Sequence, residues 1–161
     1  VFVGYAVGSA PIVSFHYGAR NHAEVHNLYQ KSLRLIAVVS VTLTAASMVI
    51  IPHVAHIFVG YDAQLLALTS RAFRLYALCF LIKGFNIYAS SFFTALGDGV
   101  TSALISFLRT FLFQMAALLL LPALWGIDGV WLAVTAAELA TLAVSVYMFV
   151  TKDQKFHYRH V

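Results

Sequence analysis

The chain has 161 residues, of which 61% are hydrophobic and only 10% are charged, and its mean hydropathy is +0.87. Soluble domains carry about 25% charged residues, so this composition excludes an ordinary soluble protein. The net charge of +4 is too small to indicate binding to nucleic acid. Residues 35–61 and 110–127 contain no Asp, Glu, Lys or Arg, and apolar runs of about 18 residues or more are typical of transmembrane helices. The sequence therefore predicts an all-α, polytopic membrane helix bundle.

The first half of the chain contains two predicted spans separated by a polar segment. Residues 1–18 form the first span, in which Gly4 and Gly8 have the spacing that lets a neighbouring helix approach closely. Residues 19–34 are polar, and we expect a loop that contains a short surface helix. The second span, residues 33–52, is expected to end at Pro52, because proline often follows a helix end. Residues 53–61 are then expected to form a loop.

The third predicted span covers residues 70–97. Asp62 is the kind of residue that caps a helix N-terminus, but residues 62–97 are too many for one perpendicular crossing of about 30 Å. We therefore expect a short interfacial segment that ends near Thr69, followed by the spanning helix. Two polar side chains, Lys83 and Asn86, lie near the middle of this helix.

Two further spans complete the predicted membrane region, residues 1–151. A Gly-Asp-Gly turn at 97–99 leads into a fourth span over 101–121, and a turn over 122–129 leads into a fifth span over 130–151. The fourth span contains Arg109 and the fifth contains Glu138. Residues 152–161 are predicted to form a basic tail.

The distribution of positive charge predicts the orientation of the spans. Alternating them puts segment 19–34, the turn at 97–99 and the tail on one side of the membrane. That side carries Arg20, Lys31, Arg34, Lys152, Lys155 and Arg159, whereas the other carries only Arg71 and Arg74 near its interface. Lys and Arg are enriched on the cytoplasmic side, so the tail is predicted to be cytoplasmic.

Three segments carry a resemblance to a known family. Residues 11–20 (PIVSFHYGAR), 72–99 and 106–133 resemble the C-terminal half of a multidrug and toxic compound extrusion (MATE) transporter, in the bacterial branch of MepA-like and DinF-like exporters. The most specific part is the Arg109 helix followed by Leu-Pro and Gly-x-x-Gly-Val-Trp. The resemblance implies a twelve-helix protein of the bacterial inner membrane, with this chain supplying the end of helix 8 through helix 12.

The resemblance also implies a function and partners. Such exporters antiport organic cations and other drugs against Na⁺ or H⁺ by alternating access. Some relatives have a cation-binding acid in the middle of the tenth helix, where this chain reads FNIY at 85–88. The coupling ion is therefore expected in the N-terminal lobe of the same polypeptide, outside this chain, and no other cofactor is implied. Besides that lobe, the expected partners are the lipid bilayer and the drug substrate, with no nucleic acid.

Two other functions stay open at this point. A lipid-linked oligosaccharide flippase of the same superfamily would favour more buried arginines than this chain has. A non-transporting membrane scaffold would show no gradient-dependent dye efflux. An enzyme would need acids, bases or metal ligands that converge at one depth, and so few are present that we predict no enzymatic activity and no catalytic residue.

The candidate substrate-pathway or intramembrane polar residues are Lys83, Asn86, Ser90, Arg109 and Glu138. A lysine charge at the bilayer centre costs at least about 3 kcal/mol, so we expect Lys83 to face a cavity or a partner. Glu138 lies at similar depth and is the nearest candidate counter-ion; our hypothesis is that the two pair, either as a structural contact or as a pair that titrates during transport. Arg109 could extend to the lipid headgroups or make a buried contact to helix ends. Asn86 and Ser90 are four residues apart and share a helix face, where they could line a wet pathway or bond between helices.

Two other groups of side chains were considered as sites. Phe85, Phe92 and Phe93 could offer aromatic surface to a cationic drug or could serve in packing. His22 and His26 have the spacing of a zinc-binding pair, but Ala23 stands where the metalloprotease motif requires Glu. No metal site is predicted.

Overall fold

The computed structural model describes residues 1–158, and none of these lies in a strand. The elements are α1 (Phe2–Gly18), α2 (His22–Val59), α3 (Ala63–Ala77), α4 (Phe80–Ala95), α5 (Gly99–Phe107), a π-helical segment (Leu108–Phe113) and α6 (Gln114–Phe156). The all-α prediction is confirmed. Arg159 and the two residues after it, which belong to the predicted tail, lie outside the described part.

Three stretches are long and apolar enough to cross a membrane: His22–Val59, Ala63–Ala95 and Gly99–Phe156. The third is interrupted at Gly126, whose φ of 58° and ψ of −135° are not helical. The chain reverses there, so this stretch contains both of the spans drawn at 101–121 and 130–151.

Helix α2 is longer than the sequence pattern indicated. It has 38 residues, or about 57 Å at about 1.5 Å per residue. It includes residues 22–34 of the segment that was expected to be a loop with a short surface helix, and residues 53–59 of the second expected loop. The Asn21 side chain caps its start by accepting from the Glu24 N–H at 3.2 Å. Pro52 lies inside the helix rather than at its end. Polar composition predicted a loop over 19–34, but Val25 and Ser32 on this segment are buried against the bundle, and this packing supports a helix there.

The expected break near Thr69 is absent, because α3 continues to Ala77. The irregularity lies instead at Leu78 and Cys79, which keep right-handed helical dihedrals. The Cys79 N–H bonds to the Tyr76 carbonyl at 3.0 Å, a three-residue spacing typical of a tightened turn. Helices α3 and α4 therefore continue one another across a single irregular turn, and no separate interfacial segment precedes the span.

The two arms of α6, residues 114–125 and 127–156, pack against each other through small residues. Gly129, Ala133 and Ala137 on the second arm recur every four residues and pack against Ala117 and Leu121 of the first arm, as is typical of close helix contacts in membranes. The contact is closest at Gly129, where an added Cβ would lie 2.2 Å from the Leu121 carbonyl oxygen.

Helix α4 is the centre of the bundle and contacts α1, α2, α5 and α6. Its Phe92 and Phe93 are 1% and 0% exposed, and they pack with aromatic rings from α2, α6 and the chain end: Tyr29, Phe149 and Tyr158. Phe92 and Phe93 therefore serve in packing.

The predicted tail begins inside a helix and then folds back. Helix α6 continues to Phe156, and Tyr158 is fully buried. The Tyr158 hydroxyl donates to the Phe149 carbonyl at 2.7 Å. Residues 152–158 are therefore part of the packed bundle.

Polar contacts show which segments meet at each end of the bundle. The Lys152 Nζ lies 3.2 Å from the Asp98 Oδ2, and the His26 Nδ1 lies 2.8 Å from the Tyr158 carbonyl oxygen. The start of α2, the turn at 97–99 and the end of α6 thus meet at one end, which we call the basic end. At the opposite end, Arg71 pairs with Asp128.

One predicted close approach is not made within the described chain. A Cβ added at Gly4 or at Gly8 would meet no atom within 4 Å. This face of α1 is open, with Val3 and Val7 exposed beside the two glycines.

Candidate functional site

A buried polar network connects α4, the π-helical segment and the second arm of α6. The Asn86 Nδ2 donates to both the backbone oxygen and the Oε2 of Glu138, each at 2.8 Å. The Arg109 Nε lies 3.4 Å from the Glu138 Oε1, and the Ser145 hydroxyl donates to the Asn86 Oδ1 at 3.1 Å. Both oxygens of the carboxylate therefore have a partner, and so do both polar atoms of the amide.

The side chains of the network are almost completely buried. Asn86 is 0% exposed and Glu138 is 4% exposed, whereas the Arg109 side chain is 22% exposed. A buried charge is tolerated where it is paired and hydrogen-bonded. Arg109 thus makes a buried contact, but with a carboxylate from another helix and not with helix ends.

The backbone around Arg109 is unusual. Residues Leu108–Phe113 form a π-helix, which is rare, and short π segments occur frequently at functional sites. The wider π-helical turn rotates the side chains that follow it around the helix axis. It lies between α5, which contacts α4, and the first arm of α6, which packs on the second arm. Arg109 lies at the start of this segment, opposite Glu138.

A second polar group follows the same side of α4 toward the basic end. The Ser90 hydroxyl lies 2.9 Å from the Ser102 hydroxyl and 2.8 Å from the Ser106 hydroxyl. The Thr94 hydroxyl donates to Ser102 at 2.7 Å. Ser106 and Thr94 are exposed, so this hydroxyl chain reaches the surface of the bundle. Asn86 and Ser90 share a side of α4 as predicted but bond to different neighbours.

Lys83 is not part of either polar group, and the expected Lys83–Glu138 pair does not form. Lys83 lines an open cavity of about 410 Å³ between α1, α2 and α4, together with Ser47 and apolar residues that include Val1 and Leu43. Among the described residues it makes no ion pair. Sequence position gave Lys83 and Glu138 similar depths, but Lys83 faces the cavity beside α1 and α2, whereas Glu138 is buried against Asn86 and Arg109.

A further cavity borders the buried network. It has a volume of about 350 Å³ and an almost entirely apolar wall, whose members include Tyr29, Phe85, Leu142, Phe149 and Ser145. Phe85 is therefore the one of the three candidate phenylalanines that faces open space. The cavity touches the network through Ser145.

Ser145 is the residue of the network that sequence reasoning missed. It lies seven residues, or about two helical turns, after Glu138, so a search for polar residues on the Glu138 face of the last span would have found it. No group of three or more metal-ligating side chains occurs within residues 1–158. His26 of the considered zinc pair instead bonds to Gln30 and to the Tyr158 carbonyl, each at 2.8 Å.

At the basic end, Asp98 joins three elements. Its carboxylate accepts from the Thr101 N–H at 3.2 Å and from the Thr101 hydroxyl at 2.8 Å, and it pairs with Lys152. Burial raises the pKa of Asp98, but the Thr101 hydrogen bonds and the Lys152 charge outweigh this effect, so its pKa lies below the ordinary value.

Comparisons with known proteins give one family and one solved structure. The MatE family model matches residues 1–119. A multidrug resistance MATE family transporter of the MOP superfamily, solved in an inward-facing conformation, superimposes with a TM-score of 0.86 at 18% identity. The match covers 99% of this chain and 37% of that chain, so this chain spans little more than a third of that transporter. No curated protein matches the chain.

Proposed function

Because the chain belongs to the MatE family, we propose that it forms the C-terminal lobe of a secondary active exporter that antiports organic cations and drugs against Na⁺ or H⁺ by alternating access. The family match agrees with the resemblance carried by residues 11–20, 72–99 and 106–133. The family is one of transporters, which agrees with the prediction that the chain is not an enzyme. The proposed whole protein has an N-terminal lobe in the same polypeptide, and that lobe holds the coupling ion.

The observation that carries the proposal is the buried network of Arg109, Glu138, Asn86 and Ser145. Alternating access in transporters is largely a rocking of one bundle against another around a fixed site. Such motion requires each bundle to stay intact. The network connects three membrane elements through a paired charge, and removing one partner of a buried pair costs about 3–5 kcal/mol.

The hydroxyl chain supports a position for the substrate pathway. Thr94 and Ser106 are exposed, and Arg109 is exposed in part, at a surface of the bundle that crosses the membrane. Exposed polar groups at this depth face a wet cavity or protein rather than lipid. We place the pathway along this face, between the two lobes.

The proposed location is the bacterial inner membrane, with several crossings and with the basic end in the cytoplasm. Five basic residues belong to segments that meet at the basic end or adjoin it: Arg20, Lys31, Arg34, Lys152 and Lys155. This bias of positive charge supports the orientation. The chain has a multi-pass membrane character on composition and helix length.

The proposal is tested by drug efflux from energised cells that express the complete gene. Glu138→Gln keeps the side-chain volume but leaves Arg109 uncompensated, so we expect both efflux and thermal stability to fall. Glu24→Gln removes an acid from the first turn of α2, outside the network, and should preserve efflux. Efflux that is normal in Glu138→Gln at equal protein abundance would contradict a role of the network in transport.

A double variant separates bracing from titration. Arg109→Gln combined with Glu138→Gln leaves no buried charge, so stability should recover relative to Glu138→Gln alone. If the network acts as a brace, efflux recovers with stability. If Glu138 titrates during transport, efflux stays low. A complete protein that shows no gradient-dependent efflux would support the scaffold, and one that translocates lipid-linked oligosaccharide instead would support the flippase.

A further inference from the structure

An open pocket at the basic end is lined by cationic and imidazole side chains. It lies between the end of α1, the start of α2 and the end of α6, and its volume is about 420 Å³. Its lining residues are Tyr17, Gly18, Arg20, His22, Lys155 and His157. None of them is acidic. The acid of the first turn of α2, Glu24, is instead turned toward Asn27, at 3.2 Å.

Two helix ends meet at this pocket. Arg20 and His157, which follow the ends of α1 and α6, have φ angles of 57° and 50° and are the two non-glycine residues with positive φ among residues 1–158. A left-handed residue is common just past the C-terminus of a helix, and at both helix ends it turns the chain beside the pocket.

His22 adds an unused polar atom. Its Nδ1 is buried and has no hydrogen-bond partner within the described residues, although its ring contacts Tyr17 and His157. His22 is also the first residue of α2, so the positive end of the dipole of a 38-residue helix points toward the pocket. Charged side chains such as those of Arg20 and Lys155, beside a helix N-terminus, are the features that bind a phosphate group.

We propose that this pocket binds a phosphate group at the membrane surface. Arg20 offers a planar set of donors suited to phosphate oxygens, and Lys155 supplies a second positive charge. The pocket lies at the basic end of the bundle, where α1 and α6 end and α2 begins. Its ligand is a phosphate carried by a lipid headgroup or present as the free ion, and the two sources are separated by experiment. This site is distinct from the Arg109–Glu138 network and does not depend on drug transport.

The test measures ligand binding to the purified, complete protein in detergent by native mass spectrometry, with three probes: phosphatidylglycerol, inorganic phosphate, and diacylglycerol, which lacks phosphate. Arg20→Gln combined with Lys155→Gln should weaken phosphatidylglycerol binding at least about tenfold, or about 1.4 kcal/mol, since both charge-assisted contacts to the phosphate are lost. Lys31→Gln combined with Arg34→Gln removes the same charge from the exposed surface of α2, and it should change binding less than about twofold because surface charges contribute little.

Each outcome decides a point. Competition by inorganic phosphate at similar concentration identifies the free ion as the ligand, and its failure to compete identifies the lipid headgroup. Equal losses in the two double variants, or binding of diacylglycerol as tight as that of phosphatidylglycerol, would overturn the proposal. The single variant Lys155→Gln, at a residue whose Nζ lies 4.8 Å from the Phe156 ring centroid, keeps the test valid if the double variant does not fold.

Discussion

At Gly129, a single added methyl group should strongly destabilise the contact between the two arms of α6. A Cβ there would lie 2.2 Å from the oxygen and 2.5 Å from the carbon of the Leu121 carbonyl, and 2.8 Å from the Pro122 nitrogen. All three are backbone atoms, so no side-chain rotation relieves the overlap. The two arms would have to separate by roughly 1 Å to reach ordinary van der Waals contact.

The cost of Gly129→Ala follows from two opposing effects. Overpacking costs about 1–3 kcal/mol, and rigid backbone favours the upper end of that range. Alanine recovers about 1 kcal/mol of helix propensity relative to glycine. We therefore expect a net loss of about 2 kcal/mol, with a looser contact between Ala117 and Ala133 and a longer distance between Arg109 and Glu138.

The measurement is the unfolding midpoint of the complete protein in detergent. Gly99→Ala is the matched control, because Gly99 is helical and a Cβ there meets nothing within 4 Å. The control should unfold at or above the wild-type midpoint. If Gly129→Ala unfolds together with the control, the arms are not in backbone contact and the reasoning is wrong.

Three further predictions concern individual contacts. Asn86→Ala removes the amide that donates to Glu138 and should destabilise the protein by about 1.5–3 kcal/mol; an unchanged unfolding midpoint would contradict this. The folded-state pKa of Asp98 lies below its unfolded value, so its stabilising contribution is complete above about pH 4 and is lost as the pH falls through the folded value. The Asp98→Asn variant has no carboxylate to protonate at this position, so between pH 6 and pH 3 its unfolding midpoint should fall less steeply than that of the wild type. Parallel curves for the two proteins would refute this. Tyr158→Phe loses one buried hydroxyl bond and should cost about 0.5–1.5 kcal/mol, with efflux unaffected; a midpoint equal to wild type would show that the bond does not form.

The fold class could be predicted from the sequence because the relevant signal is local. Long runs without charge, such as residues 35–61, require a helix in lipid, since every backbone group must bond within its own segment. The alternation of basic segments also predicted which segments share an end, and the Asp98–Lys152 contact agrees with it. The helix limits were less accurate. By polarity, residues 19–34 were expected to form a loop with a short surface helix, whereas residues 22–34 are helical throughout and bury Val25 and Ser32 against the bundle.

The candidate site was only partly visible in the sequence. Asn86, Arg109 and Glu138 stand out because polar residues at membrane depth are expensive wherever they occur. Which of them meet was decided by the tertiary structure. Chain reversal at Gly126 and the small-residue contact at Gly129 bring Glu138 opposite Arg109, whereas Lys83 points toward α1 and α2. Depth is a property of position along one helix and can be read from the sequence, but direction around the axis has meaning only once the neighbouring helices are in place.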